Sequence, residues 1–265
     1  MLGQMDWDAY WRFERFRRRC DPLDFRKWKS DSQRALKGLY PGAPRLLDST
    51  AGLGDHTVNL AEAGFRVEAC DRSPVAREAT REALAEAGLD VPVFDAEWAA
   101  LDRPGRYDVI FNDALHWIED PDALRAALRG FFDALTPGGA LVFFFADAAK
   151  PHAGYGLELM EWDWAHMEHE RVAWEHTLGE RTVTLSVLAE RHATTLDEHH
   201  VYLDREGDAP PRASALTMTR IYRWDWHGIA PLLAELGYVD LRSDHFENTA
   251  KGYTFAMSRA FKPSA

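Results

Sequence analysis

Between Arg45 and Ala146 short apolar runs alternate with stretches of helical spacing, and this rhythm limits the fold more than any other feature. "RLLDST", "FRVEACD", "VPVFDAE", "YDVIFND" and "ALVFFFAD" read as strands. "GDHTVNLAEAG", "SPVAREATREALAEAG" and "PDALRAALRGFFDAL" read as the helices between them. Ser73 is placed to cap the second of these helices, with Pro74 at its first position. "TPGG" reads as the turn into the fifth strand. The fourth run is apolar on both faces, as a strand in the middle of a parallel sheet must be. The fold class expected is α/β: a Rossmann-like, doubly wound, mostly parallel seven-stranded sheet with helices on both sides.

The rhythm changes after Asp147. Residues 148–168 lack a clear period and are rich in aromatics and histidine. "RVAWEHTL", "RTVTLSVLAER", "TTLDEHHVYLD" and "SALTMTRIYRW" then read as an inserted antiparallel β lid. "HGIAPLLAELG" returns to helix, and "YVDLRSDHF" with "GYTFAMSRAF" reads as a terminal strand pair. Four segments follow: a helical cap over 1–44, a core over 45–147, a lid over 148–225 and a completing segment over 226–265. In the cap, Trp7, Tyr10, Trp11, Phe13 and Phe16 interleave with arginines, which predicts an amphipathic helix with a solvated basic face.

In an open parallel sheet, ligands sit beyond the carboxyl ends of the strands. "DSTAGLGDHT" occupies that place after the first strand. Gly52 and Gly54 allow close backbone approach, and the following helix offers free N–H groups. Asp71, ending the second strand, is placed to take two ribose hydroxyls. A dinucleotide, a nucleoside cofactor and a plain strand–helix turn all begin this way. A dinucleotide site wants a third glycine where this chain has Thr57. Asp48, in front of the glycines, would repel a pyrophosphate but suits a cofactor with a positive charge or an ammonium group. After the third strand, "FDAEWAALD" brings together Asp95, Glu97 and Trp98, suited to an adenine edge and face.

These motifs, with "YDVIFNDALHWIEDPDAL" and "LTPGGALVFFF", resemble in order and spacing those of class I S-adenosylmethionine-dependent methyltransferases. The set is most similar to the small-molecule group around glycine N-methyltransferase, with Ala96-Glu97-Trp98 in place of its Ala-Asn-Trp and Asn112 to His116 in place of its Asn-x-x-x-His. The resemblance implies S-adenosyl-L-methionine as cofactor. It implies that Asp48, Ala51, Gly52 and Gly54 line the methionine moiety, with Arg45 at its carboxylate. It places Asp71, Arg72 and Ser73 at the ribose, and Asp95, Glu97 and Trp98 around the adenine. It puts Asn112 and His116 near the sulfonium, and implies a lid after strand five and an aromatic N-terminal segment that closes over the cofactor. Thr50 departs from the usual first glycine, Glu97 from Asn, and only Lys150 stands where the glycine enzymes have a substrate-binding arginine. Glycine is therefore not the expected substrate.

The expected reaction is direct in-line methyl transfer to a small molecule, an amine or an indole-like ring, with N- or C-methylation favoured. The catalytic residues expected are His116, Asn112, His166 and Asp163; the His/carboxylate base is expected among His116, His166 and Asp163, with His152, His169 and Glu161 as further candidates. The lid aromatics Tyr155, Trp162, Trp164, Tyr222, Trp224 and Trp226 fit a cationic or heteroaromatic acceptor. The alternatives are an NAD(P)-dependent oxidoreductase and a cofactor-binding protein without turnover. A net charge of −12 and the lack of an Asn/Asp-Pro-Pro-aromatic segment after strand four argue against a nucleic-acid substrate. Cys20 and Cys70 make neither a disulfide framework nor a metal motif. No apolar run reaches membrane-spanning length and the aromatic, charged start is no signal peptide, so the cytoplasm is the expected compartment. A homodimer is carried over from the resemblance alone.

Overall fold

The computed structural model describes residues 6–21, 33–144, 157–222, 224, 226–248 and 253–264. A helix α1 (Trp7–Cys20) and a helical stretch α2 (33–39) precede the sheet. The core then runs β1 (Arg45–Asp48), α3 (Asp55–Glu62), β2 (Arg66–Cys70), α4 (Pro74–Glu86), β3 (Val93–Phe94), β4 (Tyr107–Asn112), α5 (Pro121–Ala134) and β5 (Leu135–Phe144). After α6 (Leu157–His166) come the lid strands β6 (Glu170–Leu178), β7 (Arg181–Arg191), β8 (Thr195–Glu206) and β9 (Arg212–Ile221). Helix α7 (Trp226–Glu235) and strands β10 (Val239–Asn248) and β11 (Tyr253–Phe261) complete the chain.

The main sheet has the order β10-β11-β5-β4-β1-β2-β3, with β11 antiparallel to β5 and the pairings from β5 through β4, β1 and β2 to β3 parallel. The two-residue period of a strand sends neighbouring side chains to opposite faces. Leu47, Ile110, Leu141 and Phe143 enter a core with Leu124, Leu128 and Phe131 of α5 and Ile229 and Leu233 of α7. Leu46, Val109, Phe111 and Val142 enter a second core with Leu36, Leu60, Phe65 and Met257. Both faces are covered, so the polar residues of β1 and β4 stand at the strand ends, Arg45 and Asp108 at one and Asp48 and Asn112 at the other.

Two expected elements differ in form. The third strand pairs only over Val93–Phe94 at the sheet edge, preceded by Pro92, which has no N–H to donate. "TPGG" does not precede β5 but lies inside it. Tyr107 pairs with Leu135 and Val109 with Ala140, so Thr136–Gly139 bulge out, with Gly138 at φ +77°.

The lid is a four-stranded antiparallel meander, β6-β7-β8-β9. Val183, Leu185, Val187, Tyr202, Leu216 and Met218 on its inner face pack on Phe13 and Phe16 of α1. Phe13 stacks flat on Tyr202, ring centroids 3.8 Å apart. The basic face of α1 is solvated only in part: Arg12 and Arg19 are exposed, but Arg15 and Arg18 are not free in water. Arg15 pairs with Glu78 and Glu82 of α4, and Arg18 with Asp55 at the start of α3 at 3.1 Å. These pairs dock α1 over the carboxyl end of the sheet, where the sequence pattern alone gave no partner for the arginines.

Candidate cofactor cleft and acceptor compartment

The turn after β1 is fixed from three sides. Gly52 and Gly54 adopt φ +53° and +86°, a region that favours glycine. Ala51 N–H donates to the Cys70 carbonyl, Gly54 N–H to the Ala51 carbonyl, and Thr80 Oγ1 of α4 to the Gly52 carbonyl at 3.1 Å. A Cβ on Gly54 would stand 2.9 Å from Thr80 Cα. Close helix–strand packing, the usual task of a third glycine, is reached here with Thr57 in that position. Its Oγ1 donates to Asp48 Oδ2 at 2.7 Å, and Thr50 N–H donates to Asp48 Oδ1 at 3.2 Å.

Asp48 is thus wholly buried beneath the turn, a brace and not part of an open wall. Burial raises its pKa, against the opposing pull of His56 and Thr57. Asp71 stands differently. It accepts from Gly52 N–H at 3.1 Å on one oxygen and from Ser73 N–H at 2.9 Å on the other. Burial is the largest influence on Asp71 and raises its pKa, against these two backbone donors. A carboxylate offers about four acceptor sites, and two backbone donors leave each oxygen another. That matches a vicinal diol, so Asp71 and the glycine backbone fit the ribose and methionine parts of an adenosyl cofactor.

Trp98, in a 3-10 turn over Trp98–Ala100, donates Nε1–H to the Ser49 carbonyl at 2.8 Å and packs against Phe131. This ties the end of β3 to the turn and puts an indole beside the cleft. Asp95 is exposed and pairs with Arg77 at 3.1 Å; Glu97 and Arg72 are also exposed. Ser73 accepts from Ala76 N–H as the cap of α4 and donates to Asp8 of α1. Arg45 does not join this group. It stands at the other end of β1, where Asp108 takes its guanidinium at 2.8 and 3.2 Å. A carboxylate bound at the turn is out of its reach, because three residues of strand separate the two ends.

Around β4 the side chains serve as struts. Asn112 is buried, its Nδ2 donating to Ser49 Oγ at 2.9 Å while its Oδ1 accepts from Ala114 N–H. His116 lies within the 3-10 turn Leu115–Trp117, and its side chain is outside the described residues, as are Lys150, His152 and Tyr155. On α6, His166 is exposed, stacked on Trp162 and bonded to the Trp162 carbonyl; Asp163 accepts from Tyr222 Oη at 2.6 Å. His169 is likewise exposed, stacked on Trp164. Neither histidine approaches the turn by any described contact. Among the described residues no group of three His, Cys, Asp or Glu is placed to hold a metal.

The resemblance implied an aromatic N-terminal segment over the turn, but not which side chains of α1 and the lid meet. Trp11 lies on the turn, since a Cβ on Gly52 would stand 2.9 Å from its ring. Trp7 stacks on Trp11 and meets Trp117 edge-on, and Tyr10, Trp117 and Trp174 pack against the cluster that holds Tyr202. On the lid's inner face, Glu198 is buried and paired with Arg171 at 2.9 Å and Arg220 at 3.4 Å, with His200 Nε2 at 3.6 Å. Burial pushes Glu198 up, but His200, Arg220 and Arg171 outweigh it and hold the carboxyl at about 2. The alternation of β8, with Glu198, His200 and Tyr202 two apart, was the available signal.

Residues 46–139 match the family described as a methyltransferase domain. A glycine/sarcosine N-methyltransferase of Halorhodospira halochloris is 36% identical over 106 residues, 38% of this chain and 39% of the relative. A tRNA 5-carboxymethoxyuridine methyltransferase of Escherichia coli K12 is 28% identical over 123 residues, 44% of this chain and 46% of the relative. These alignments span less than half of each relative. A solved amino pentose methyltransferase from Micromonospora echinaspora, bound to S-adenosylmethionine, shares the fold at TM-score 0.65 and 17% identity, covering 99% of this chain and 98% of that one.

Proposed function

From the match of residues 46–139 to a methyltransferase domain, we propose that the chain is an S-adenosylmethionine-dependent methyltransferase of class I fold that methylates a nitrogen of a small molecule. The observation that carries this reading is the aromatic cluster packed between α1 and the inner face of the lid, which reaches the glycine turn through Tyr10 and Trp11. Flat rings there lie beside the buried carboxylates Glu14 and Glu198, which suits a small amine or heteroaromatic ring better than an exposed nucleic-acid backbone. The two relatives named above act on glycine and sarcosine and on a tRNA base, and the solved neighbour on an amino pentose. The net charge of −12 favours the small-molecule side of that range.

Bound S-adenosylmethionine supplies a methyl group already activated on a sulfonium. The protein's part is then to align the acceptor and keep water away. Asp71 and the Gly52–Gly54 backbone hold the cofactor, Trp98 flanks the adenine, and Trp11 covers the turn. The acceptor lies between Tyr10, Trp117 and the lid. Its proton passes to His116, on the 3-10 turn that follows β4, while Asn112 accepts from Ala114 N–H and steadies that turn. His166 and Asp163 stand on α6, with no described contact to the glycine turn.

Calorimetric titration with S-adenosylmethionine, S-adenosylhomocysteine and NAD tests the cofactor, and turnover of amino sugars, aromatic amines, carboxylic acids and bulk tRNA tests the acceptor. Micromolar binding of both adenosyl ligands, with methylation confined to amines, is the expected result. Methylation of tRNA alone would replace the small-molecule reading, and NAD binding alone would replace the cofactor.

A further inference from the structure

Beneath the glycine turn lies a buried ionisable pair that the functions above do not use. His56, in the first turn of α3, is 1% exposed, and its Nε2 stands 3.2 Å from Asp113 Oδ2. Its ring meets Phe111 edge-on. Asp113 follows the last residue of β4, and its N–H donates to Thr50 Oγ1 in the turn at 3.3 Å. The pair therefore bridges the two strand ends, β1 and β4, whose connections leave to opposite sides of the sheet. That crevice is where a ligand of an open α/β sheet lies.

The cofactor's amino-acid end carries an α-ammonium that needs a carboxylate or carbonyls. Asp48 is the carboxylate expected there from sequence, yet it is 0% exposed and held by Thr57 and Thr50. The side chain of Asp113 is 20% exposed at the same crevice. We propose that Asp113 takes the α-ammonium of the cofactor, and that His56 is the positioning residue that aims it. His56, buried, holds one carboxylate oxygen of Asp113 at 3.2 Å, and Thr50 Oγ1 fixes the backbone N–H of Asp113. The inference rests on the cofactor reading given above and adds the residue that reads the amino-acid end.

The test uses two ligands that differ only at that end. S-adenosylhomocysteine carries the amino acid, and 5′-methylthioadenosine carries a methyl in its place. Calorimetry at neutral pH compares the full chain with Asp113→Asn, His56→Ala, His56→Gln and Asp71→Ala. Asp113→Asn is expected to weaken S-adenosylhomocysteine about tenfold, the size of one charge-assisted hydrogen bond, and to leave methylthioadenosine unchanged. His56→Ala follows the same pattern to a smaller extent, and His56→Gln, whose amide still reaches Asp113, restores it. Asp71→Ala weakens both ligands. Equal losses of both ligands in Asp113→Asn would show a structural role and overturn the proposal, as would no loss of either. Failure of the unaltered protein to bind S-adenosylhomocysteine would instead overturn the cofactor reading itself.

Discussion

At single residues the structure separates carboxylates that look alike in sequence. Asp48, Asp71 and Asp113 all end strands or follow them, yet one braces, one presents two oxygens and one stands at the crevice mouth. Asp71→Ala should abolish micromolar binding of S-adenosylhomocysteine, read by calorimetry. Arg45→Ala should leave that affinity unchanged, because Asp108 holds the guanidinium at the far end of β1. Gly54→Ala meets both a positive φ and a contact of 2.9 Å with Thr80 Cα, and should lower stability by about 1–3 kcal/mol in thermal unfolding. Glu198 offers a pH signature. Its folded pKa of about 2 lies below the ordinary 4.5, so its contribution is present above about pH 4.5 and is lost as pH falls towards 2. The size is about 3 kcal/mol, and Glu198→Gln should flatten the acid-unfolding curve over that window. The glycine pair and Asp71 stand out in sequence because they follow the first two apolar runs, although Gly52 meets Asp71 and Thr80 only through the fold. Asp48 was not, since nothing local says which way a strand-end carboxylate turns once Thr57 offers it a hydroxyl.

Among the elements, strands and helices with strong periodicity were legible, and their ends less so. The apolar run of β4 and the four alternating lid strands announce themselves, because burial on one or both faces demands those patterns. β3 shrinks to two residues because Pro92 and an edge position limit its pairing. The "TPGG" segment has the composition of a connecting turn, yet the long reach of β5 towards β11 absorbs it as a bulge. Helix α1 was legible as amphipathic, but its arginines were read as solvated. Only tertiary structure brings Glu78, Glu82 and Asp55 to meet them. If α1 covers the cofactor turn, Trp11→Ala should raise the dissociation constant of S-adenosylhomocysteine several-fold, and ligand binding should quench less tryptophan fluorescence than in the unaltered protein. An unchanged dissociation constant would make Trp11 a packing residue alone.

For the whole molecule, the seven-stranded sheet and the antiparallel lid followed from the order of elements, since a parallel sheet with helices on both faces leaves few arrangements open. The aromatic cluster between α1 and the lid did not. It is assembled from α1, the turn after β4 and the lid, which are far apart in the chain, so no window of sequence contains it. The docking of α1 has a consequence for the order in which the protein forms. Its partners are α3 and α4 on one side and Tyr202 and Met218 on the other, so its full set of contacts is complete only when β8 and β9 are in place. Loops closed over so much of the chain are slow to form. Helix α1 thus works as a latch that ties the glycine turn to the lid.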